Sequence, residues 1–212
     1  MSALRLLILA ALAAGAIIFA IFLVSGGPTK AAPKPFQSTV KVLAGNGHGS
    51  GFYIGSQLVV TAAHVVDDKK TVDLKLVDGE IIEAEVLWAN ERRDIAMLKI
   101  DPTTALVPAV VSCHEPLIGD PFYAEGNPAN MDFVTVWGNV GGLVQEVDPW
   151  LRAFITNNAV VPGQSGGPVF NAQGEVIGIT VGVMVLPMGF SASLVGIGYA
   201  VPTSELCMMM GW

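Results

Sequence analysis

Val160-Val161-Pro162-Gly163-Gln164-Ser165-Gly166-Gly167-Pro168-Val169 is the stretch around which the chain is organised. Ser165 stands between Gly163-Gln164 and Gly166-Gly167, and an apolar run begins at Val169. Glycines on both sides allow sharp, partly left-handed turns that a Cβ would forbid. Such a turn can push the Ser165 hydroxyl outward. It can also aim the backbone N–H groups of Gly163 and Ser165 at one point, as an oxyanion hole requires. Taken alone, the stretch reads equally as a Gly-rich hairpin with an incidental serine.

The context lies upstream, in Val60-Thr61-Ala62-Ala63-His64-Val65-Val66 and Arg93-Asp94-Ile95-Ala96-Met97-Leu98-Lys99-Ile100. A hydroxyl is a weak nucleophile at neutral pH. It needs a base, and the base needs an orienting acid. His64, Asp94 and Ser165 supply all three, in the order His, Asp, Ser. Thr61-Ala62-Ala63-His64-Val65, Asp94-Ile95-Ala96 and Gly163-Gln164-Ser165-Gly166-Gly167-Pro168 together resemble the chymotrypsin-like serine proteases and, within them, the HtrA/Deg branch. The resemblance runs from about Lys41 to about Thr203. It implies an all-β fold of two antiparallel six-stranded barrels, a serine endopeptidase acting on polypeptides, and no metal or organic cofactor. It assigns catalysis to His64, Asp94 and Ser165, and the oxyanion hole to Gly163 and Ser165. An esterase of the α/β-hydrolase kind would run Ser, Asp/Glu, His. A catalytically silent binding module on the same fold is the alternative, although such a relative would be free to lose any triad member.

The chain has 212 residues, which suits one domain or two small subdomains sharing a site. It is 52% hydrophobic and 14% charged, with a net charge of −7. An acidic balance with scattered Lys and Arg argues against nucleic-acid binding. No zinc, P-loop or dinucleotide pattern is present. His48 and His114 lack ligand-spaced partners and read as surface or loop histidines.

Leu4–Val24 is apolar apart from Arg5, long enough to span a bilayer core, and longer than the apolar core of a cleavable signal. It reads as an uncleaved signal anchor. Lysines follow the span as well as Arg5 preceding it, so the positive-inside rule does not orient it. The family resemblance places the protease on the extracytoplasmic side of a cell membrane. Residues 25–36, with Gly26, Gly27, Pro28, Pro33 and Pro35, read as a linker.

Residues 37–212 are expected to form the protease domain, with barrel 1 over about 37–101, a connector over 102–116 and barrel 2 over about 117–202. Strands are expected at Val40–Ala44, then, after a flexible Gly45–Gly49 loop, at Ser50–Ile54, Gln57–Thr61, Thr71–Val77, Glu80–Leu87 and Ile95–Ile100. Further strands are expected at Asp120–Glu125, Phe133–Trp137, Val140–Val147, Ala153–Asn157, Val169–Phe170, Glu175–Thr180 and Ile197–Val201. Thr203–Met210 reads as a short C-terminal helix capped by Thr203 or Ser204.

By alignment to the family motif, Ala159 lies at the base of the specificity pocket beside Val160, with Ile197 and Tyr199 as walls. No carboxylate is there to pair with a basic side chain, so small or aliphatic residues are expected before the cut. Where the resemblance puts an aspartate in trypsin-like zymogens, to pair with a newly cut amino terminus, this chain has the uncharged Gln164, so activation by N-terminal cleavage is not expected. Residues 183–195 are uncharged and read as buried core, or else as a mobile loop, a subunit contact or a surface against lipid. A homo-oligomer is left open. The branch usually carries a peptide-binding PDZ domain after this region, and none is expected before Trp212. Cys113 and Cys207 either stay as buried thiols or pair, since the resemblance brings the C-terminal helix near the connector.

Overall fold

The strand Leu58-Val59-Val60-Thr61 is apolar on both faces because both faces are buried. Val59 packs into one barrel, while Val60 joins a cluster shared with the other. Ile95–Ile100 behaves likewise: Ala96, Leu98 and Ile100 fill the barrel, and Ile95 and Met97 face its neighbour. This alternation sets two barrels against one apolar seam. The description comes from a computed structural model that covers residues 36–212, apart from 104, 130, 189 and 190. The expected anchor at 4–24 and nearly all of the linker lie outside the described residues. Among the described residues no helix is long and apolar enough to cross a membrane.

Barrel 1 comprises β1 (Thr39–Ala44), β2 (Gly47–Gly55), β3 (Leu58–Thr61), β4 (Thr71–Lys75), β5 (Ile81–Asn90) and β6 (Ile95–Ile100). It closes in the order β1-β2-β3-β6-β5-β4, as expected for a six-stranded barrel. The expected Gly45–Gly49 loop is shorter than that. Ala44 pairs with Gly47, so only Gly45 and Asn46 make the turn, and Gly45 supplies the positive φ it needs. One helical turn, α1 (Ala63–Val66), follows β3.

The second sheet contains β7 (Val110–Val111), β8 (Pro121–Gly126), β9 (Val134–Val147), β10 (Trp150–Thr156), β11 (Pro168–Asn171), β12 (Glu175–Met188) and β13 (Ser191–Pro202). Its order is β11-β8-β9-β10-β13-β12-β7, and a further β11–β12 pairing brings six of the seven strands round into a ring. The connector is not wholly irregular, because β7 pairs in parallel with β12.

Two expected strands, Phe133–Trp137 and Val140–Val147, are one continuous β9. Gly138 and Asn139 lie between the two expected strands. In the sheet Gly138 is a strand residue whose missing side chain leaves room for the Phe122 ring, 2.8 Å from where a Cβ would stand. The expected Glu175–Thr180 strand runs on to Met188, and residues 183–195 fall largely in the β12–β13 hairpin. Val185 and Val195 are exposed there, so at these two positions the segment departs from the buried core that its composition favours.

The helix α2 (Thr203–Met210) matches its expected span, but its cap does not. Pro202 occupies the N-cap with no side-chain hydrogen bond. The Thr203 hydroxyl is turned away, 2.6 Å from the Ser112 carbonyl and 3.1 Å from that of Val176, tying the helix to the connector. A disulfide between Cys113 and Cys207, with Cα atoms 5.8 Å apart, makes the same tie covalent. It joins residues 94 apart in sequence, for which loop-closure entropy gives a ceiling of about 4–5 kcal/mol. Reduction is therefore expected to lower the thermal unfolding midpoint. Calorimetry with and without reductant checks this, and equal midpoints would be the contrary result.

Candidate active site

β3 and β6 are antiparallel neighbours, with Thr61 opposite Ala96. The end of one strand therefore lies beside the start of the other. His64 comes three residues after Thr61, and Asp94 one residue before Ile95, so the sheet itself brings them together. His64 Nδ1 is 2.8 Å from Asp94 Oδ2, and the His64 backbone N–H donates to Oδ1 at 3.0 Å. With a carboxylate as partner, Nδ1 carries the proton and Nε2 is left free to accept one. The Asp94 side chain is 5% exposed and that of His64 is 48% exposed, so the imidazole is open to solvent and the carboxylate is covered.

Burial pushes the Asp94 carboxyl up, but hydrogen bonds and charge from His64 outweigh it, with a further bond from Trp150, and hold it below its ordinary 3.8. Asp94 also adopts φ +52, a conformation uncommon for a residue with a Cβ, and the surrounding bonds sustain it.

Trp150, at the start of β10, has no signal in the sequence. Its indole N–H donates to Asp94 Oδ2 at 2.9 Å. Its ring lies against Tyr199, with centroids 5.4 Å apart, and over Gly182, where a Cβ would be 2.4 Å from the indole. Trp150→Phe keeps a ring and deletes the donor. A carboxyl lowered on folding stabilises the native state above about pH 4, and the contribution is lost as pH falls through the lowered value. The stability gap between wild type and Trp150→Phe should therefore narrow on acidification. A gap constant between about pH 7 and pH 3 would assign the indole to packing alone.

Ser165 sits between two glycines with positive φ, Gly163 at +99 and Gly166 at +86. Gly166 has no room for a side chain: a Cβ would stand 2.1 Å from the Ser50 carbonyl and 2.3 Å from Thr61 Oγ1. The Ser165 carbonyl accepts the Ser50 N–H at 2.7 Å, so the turn packs on the same barrel end that carries His64. The Ser165 hydroxyl points to the Val181 carbonyl at 3.5 Å, and no hydrogen bond joins it to His64.

A trans peptide points its N–H opposite to its C=O, so a held carbonyl fixes the direction of the following N–H. The Pro162 carbonyl accepts from Ala129 N–H at 2.8 Å, which orients Gly163 N–H. The Gln164 carbonyl accepts from Gly167 N–H at 3.0 Å, which orients Ser165 N–H. Neither Gly163 N–H nor Ser165 N–H donates to a protein acceptor among the described residues. Gln164 is buried and its Oε1 accepts the Val161 N–H at 2.8 Å, bracing the turn from within.

The expected pocket residues divide. Ala159 is exposed and Val160 is buried. Val160 packs against Gly198 of β13, 2.5 Å from a notional Cβ, with Thr156 Oγ1 equally near. Ile197 and Tyr199 flank Gly198 on the strand and belong instead to the cluster between the barrels, with Trp150. His48 is no bystander. Its Nε2 is 3.0 Å from the Asn127 carbonyl and 2.5 Å from a notional Cβ on Gly163. His114 is exposed, as read. Among the described residues no group of three or more His, Cys, Asp or Glu could hold a metal.

Two barrels meeting at a His–Asp pair and a Gly-Gln-Ser-Gly-Gly turn define a class. Residues 49–179 match the trypsin-like peptidase domain, and the chain belongs to that family. Its relatives place it in the HtrA/Deg branch. HhoA of Synechocystis sp. is 35% identical over 168 residues, covering 75% of this chain and 41% of that protein. Protease Do-like 1, chloroplastic, of Arabidopsis thaliana is 32% identical over 169 residues, covering 76% and 38%. The chain thus spans about two-fifths of the length of these relatives. A serine endoprotease from Yersinia pestis superposes with a TM-score of 0.69 at 27% identity, covering 88% of this chain and 67% of that one. An HtrA-type protease, AlgW with tripeptide, shares the fold at a TM-score of 0.73 and 23% identity, covering 84% and 60%.

Proposed function

We propose that this chain is a serine endopeptidase that hydrolyses polypeptides through Ser165, His64 and Asp94. The carrying observation is the Asp94–His64 pair set beside a turn whose Gly163 and Ser165 N–H groups have no protein acceptor among the described residues. Ser165 Oγ turns about its side-chain bond from Val181 to His64 Nε2, which takes its proton as the oxygen attacks the scissile carbonyl. The Gly163 and Ser165 N–H groups receive the negative charge that develops on the carbonyl oxygen. His64 then gives its proton to the leaving amine, and Asp94 holds the imidazole tautomer and stabilises the imidazolium. Water hydrolyses the acyl-enzyme by the same steps in reverse.

The Ser165 hydroxyl, directed at the Val181 carbonyl and not at His64, favours one other reading, a silent protease-fold binding module. Cleavage of casein by the wild type and not by Ser165→Ala supports the peptidase. Casein left intact by both supports the module.

We assign small or aliphatic residues before the cut, because the residues that the family alignment puts at the pocket, Ala159, Val160, Ile197 and Tyr199, include no carboxylate to pair with a basic side chain. Peptide-library profiling reads this, and dominant cleavage after Arg or Lys would contradict it. Residues 4–24 tether the domain to the cell membrane on its extracytoplasmic face. The Cys113–Cys207 bond supports that side, since disulfides persist in oxidising compartments. Retention in the membrane pellet through carbonate extraction tests the tether, and a mature amino terminus between Gly26 and Lys34 would contradict it.

A further inference from the structure

The loop 127–133 belongs to barrel 2, yet its far end is held by barrel 1. Lys41 on β1 and Lys75 on β4 stand directly opposite each other, a like-charge pair that a sheet does not favour by itself. Asp132 resolves it. Its Oδ1 lies 2.5 Å from Lys41 Nζ, and its Oδ2 lies 2.7 Å from Lys75 Nζ. Hydrogen bonds from Lys41, then from Lys75, hold the Asp132 carboxyl below its ordinary value. Next to it, the Phe133 ring meets Phe36 edge to face at 5.7 Å.

The near end of the loop touches the oxyanion turn. Asn127 is fully buried. Its side chain donates to the Val40 carbonyl and Ser50 Oγ, and accepts the Phe133 N–H at 3.0 Å. Ser50 Oγ in turn donates to the Gly163 carbonyl at 2.8 Å. Between the two ends, Ala129 presents its N–H to Pro162 from φ +49, and Phe133 sits at φ +55. Residues with a Cβ keep such conformations only where their surroundings over-determine them. The Asp132 ion pairs and the Asn127 amide supply that constraint at opposite ends.

We propose that the Lys41–Asp132–Lys75 clasp is a positioning device for the oxyanion hole. Through loop 127–133 it keeps the Ala129 N–H on the Pro162 carbonyl and the Gly163 N–H aimed at the reacting carbonyl. Asp132, Lys41 and Lys75 are positioning residues. They touch no substrate, and the proposal rests on the peptidase reading above. A loosened clasp lets the Pro162–Gly163 peptide rotate, which withdraws one oxyanion donor while leaving the Asp94–His64 pair and the pocket in place.

Asp132→Asn keeps the shape and removes the charge. Complete loss of one oxyanion donor costs about 10²–10³ in kcat, and partial misplacement should cost about tenfold. The expected result is a fall in kcat of about that size with KM changed less than about twofold. Affinity for a peptide aldehyde should fall in parallel, because its hemiacetal oxygen occupies the same hole. Salt provides the second measurement, on the wild type itself. Exposed ion pairs are screened, so wild-type kcat should fall between about 0.05 and 1 M NaCl, while Asp132→Asn, already unclasped, should change much less. Unchanged kcat and aldehyde affinity in folded Asp132→Asn would overturn the proposal. So would equal salt dependence of the two proteins. A wild type with no peptidase activity would instead overturn the peptidase reading on which the clasp depends.

Discussion

Ser165→Ala and His64→Ala are each expected to lower kcat by roughly 10⁴–10⁶, and the double variant little further, because members of a triad act as a unit. The fold should persist. Ser165 lies in a turn braced by Gln164 and by the Gly166 and Gly167 N–H groups, none of which needs the hydroxyl. His64 is about half exposed, and its removal opens no core cavity. The measurement is steady-state hydrolysis of an internally quenched peptide, with unfolding midpoints taken in parallel. Full activity in a clean preparation of Ser165→Ala would contradict the assignment of the nucleophile.

Asp94→Asn is expected to cost about 10⁴ in kcat through the tautomer rather than the fold. Three N–H groups converge on the carboxylate: the His64 backbone, His64 Nδ1 and the Trp150 indole. An amide has one oxygen and one NH₂ in the same place, so its NH₂ meets the His64 backbone N–H or the Trp150 N–H whichever way it turns, and its contact with the imidazole is relieved only if the ring proton moves to Nε2. In that tautomer His64 cannot act as the base. Stability should also change with a defined sign. The lowered Asp94 carboxyl contributes stability above about pH 4 that is lost as pH falls through its lowered value. The stability gap between wild type and Asp94→Asn should therefore close in acid. Activity within tenfold of wild type would contradict the orienting role.

The residues of the candidate site were legible in the sequence because each lies in a short local pattern: a His just past an apolar strand, an Asp just before one, and a Ser between glycines. The strand Ile95–Ile100 and the helix Thr203–Met210 were legible for the same reason, their limits being set by neighbours in the chain. What was not legible depends on contacts between distant residues. Gly138 breaks a strand in sequence and continues one in space, because the ring that fills its side-chain position belongs to Phe122. Trp150 meets Asp94 across 56 residues, and His48 meets Asn127 across 79. No periodicity or spacing encodes either. Strand alternation, which turns Ile197 and Tyr199 toward the seam between the barrels and leaves Gly198 beside Val160, depends on that distant packing as well.

A fluorophosphonate reacts with a serine only when base and oxyanion donors are assembled around it, so it reports the central claim without knowledge of the substrate. Folded wild-type protein should take up one equivalent, mapped by mass spectrometry to Ser165. Labelling should disappear in His64→Ala and after denaturation. No adduct on the folded protein, or an adduct on a residue other than Ser165, would contradict the account.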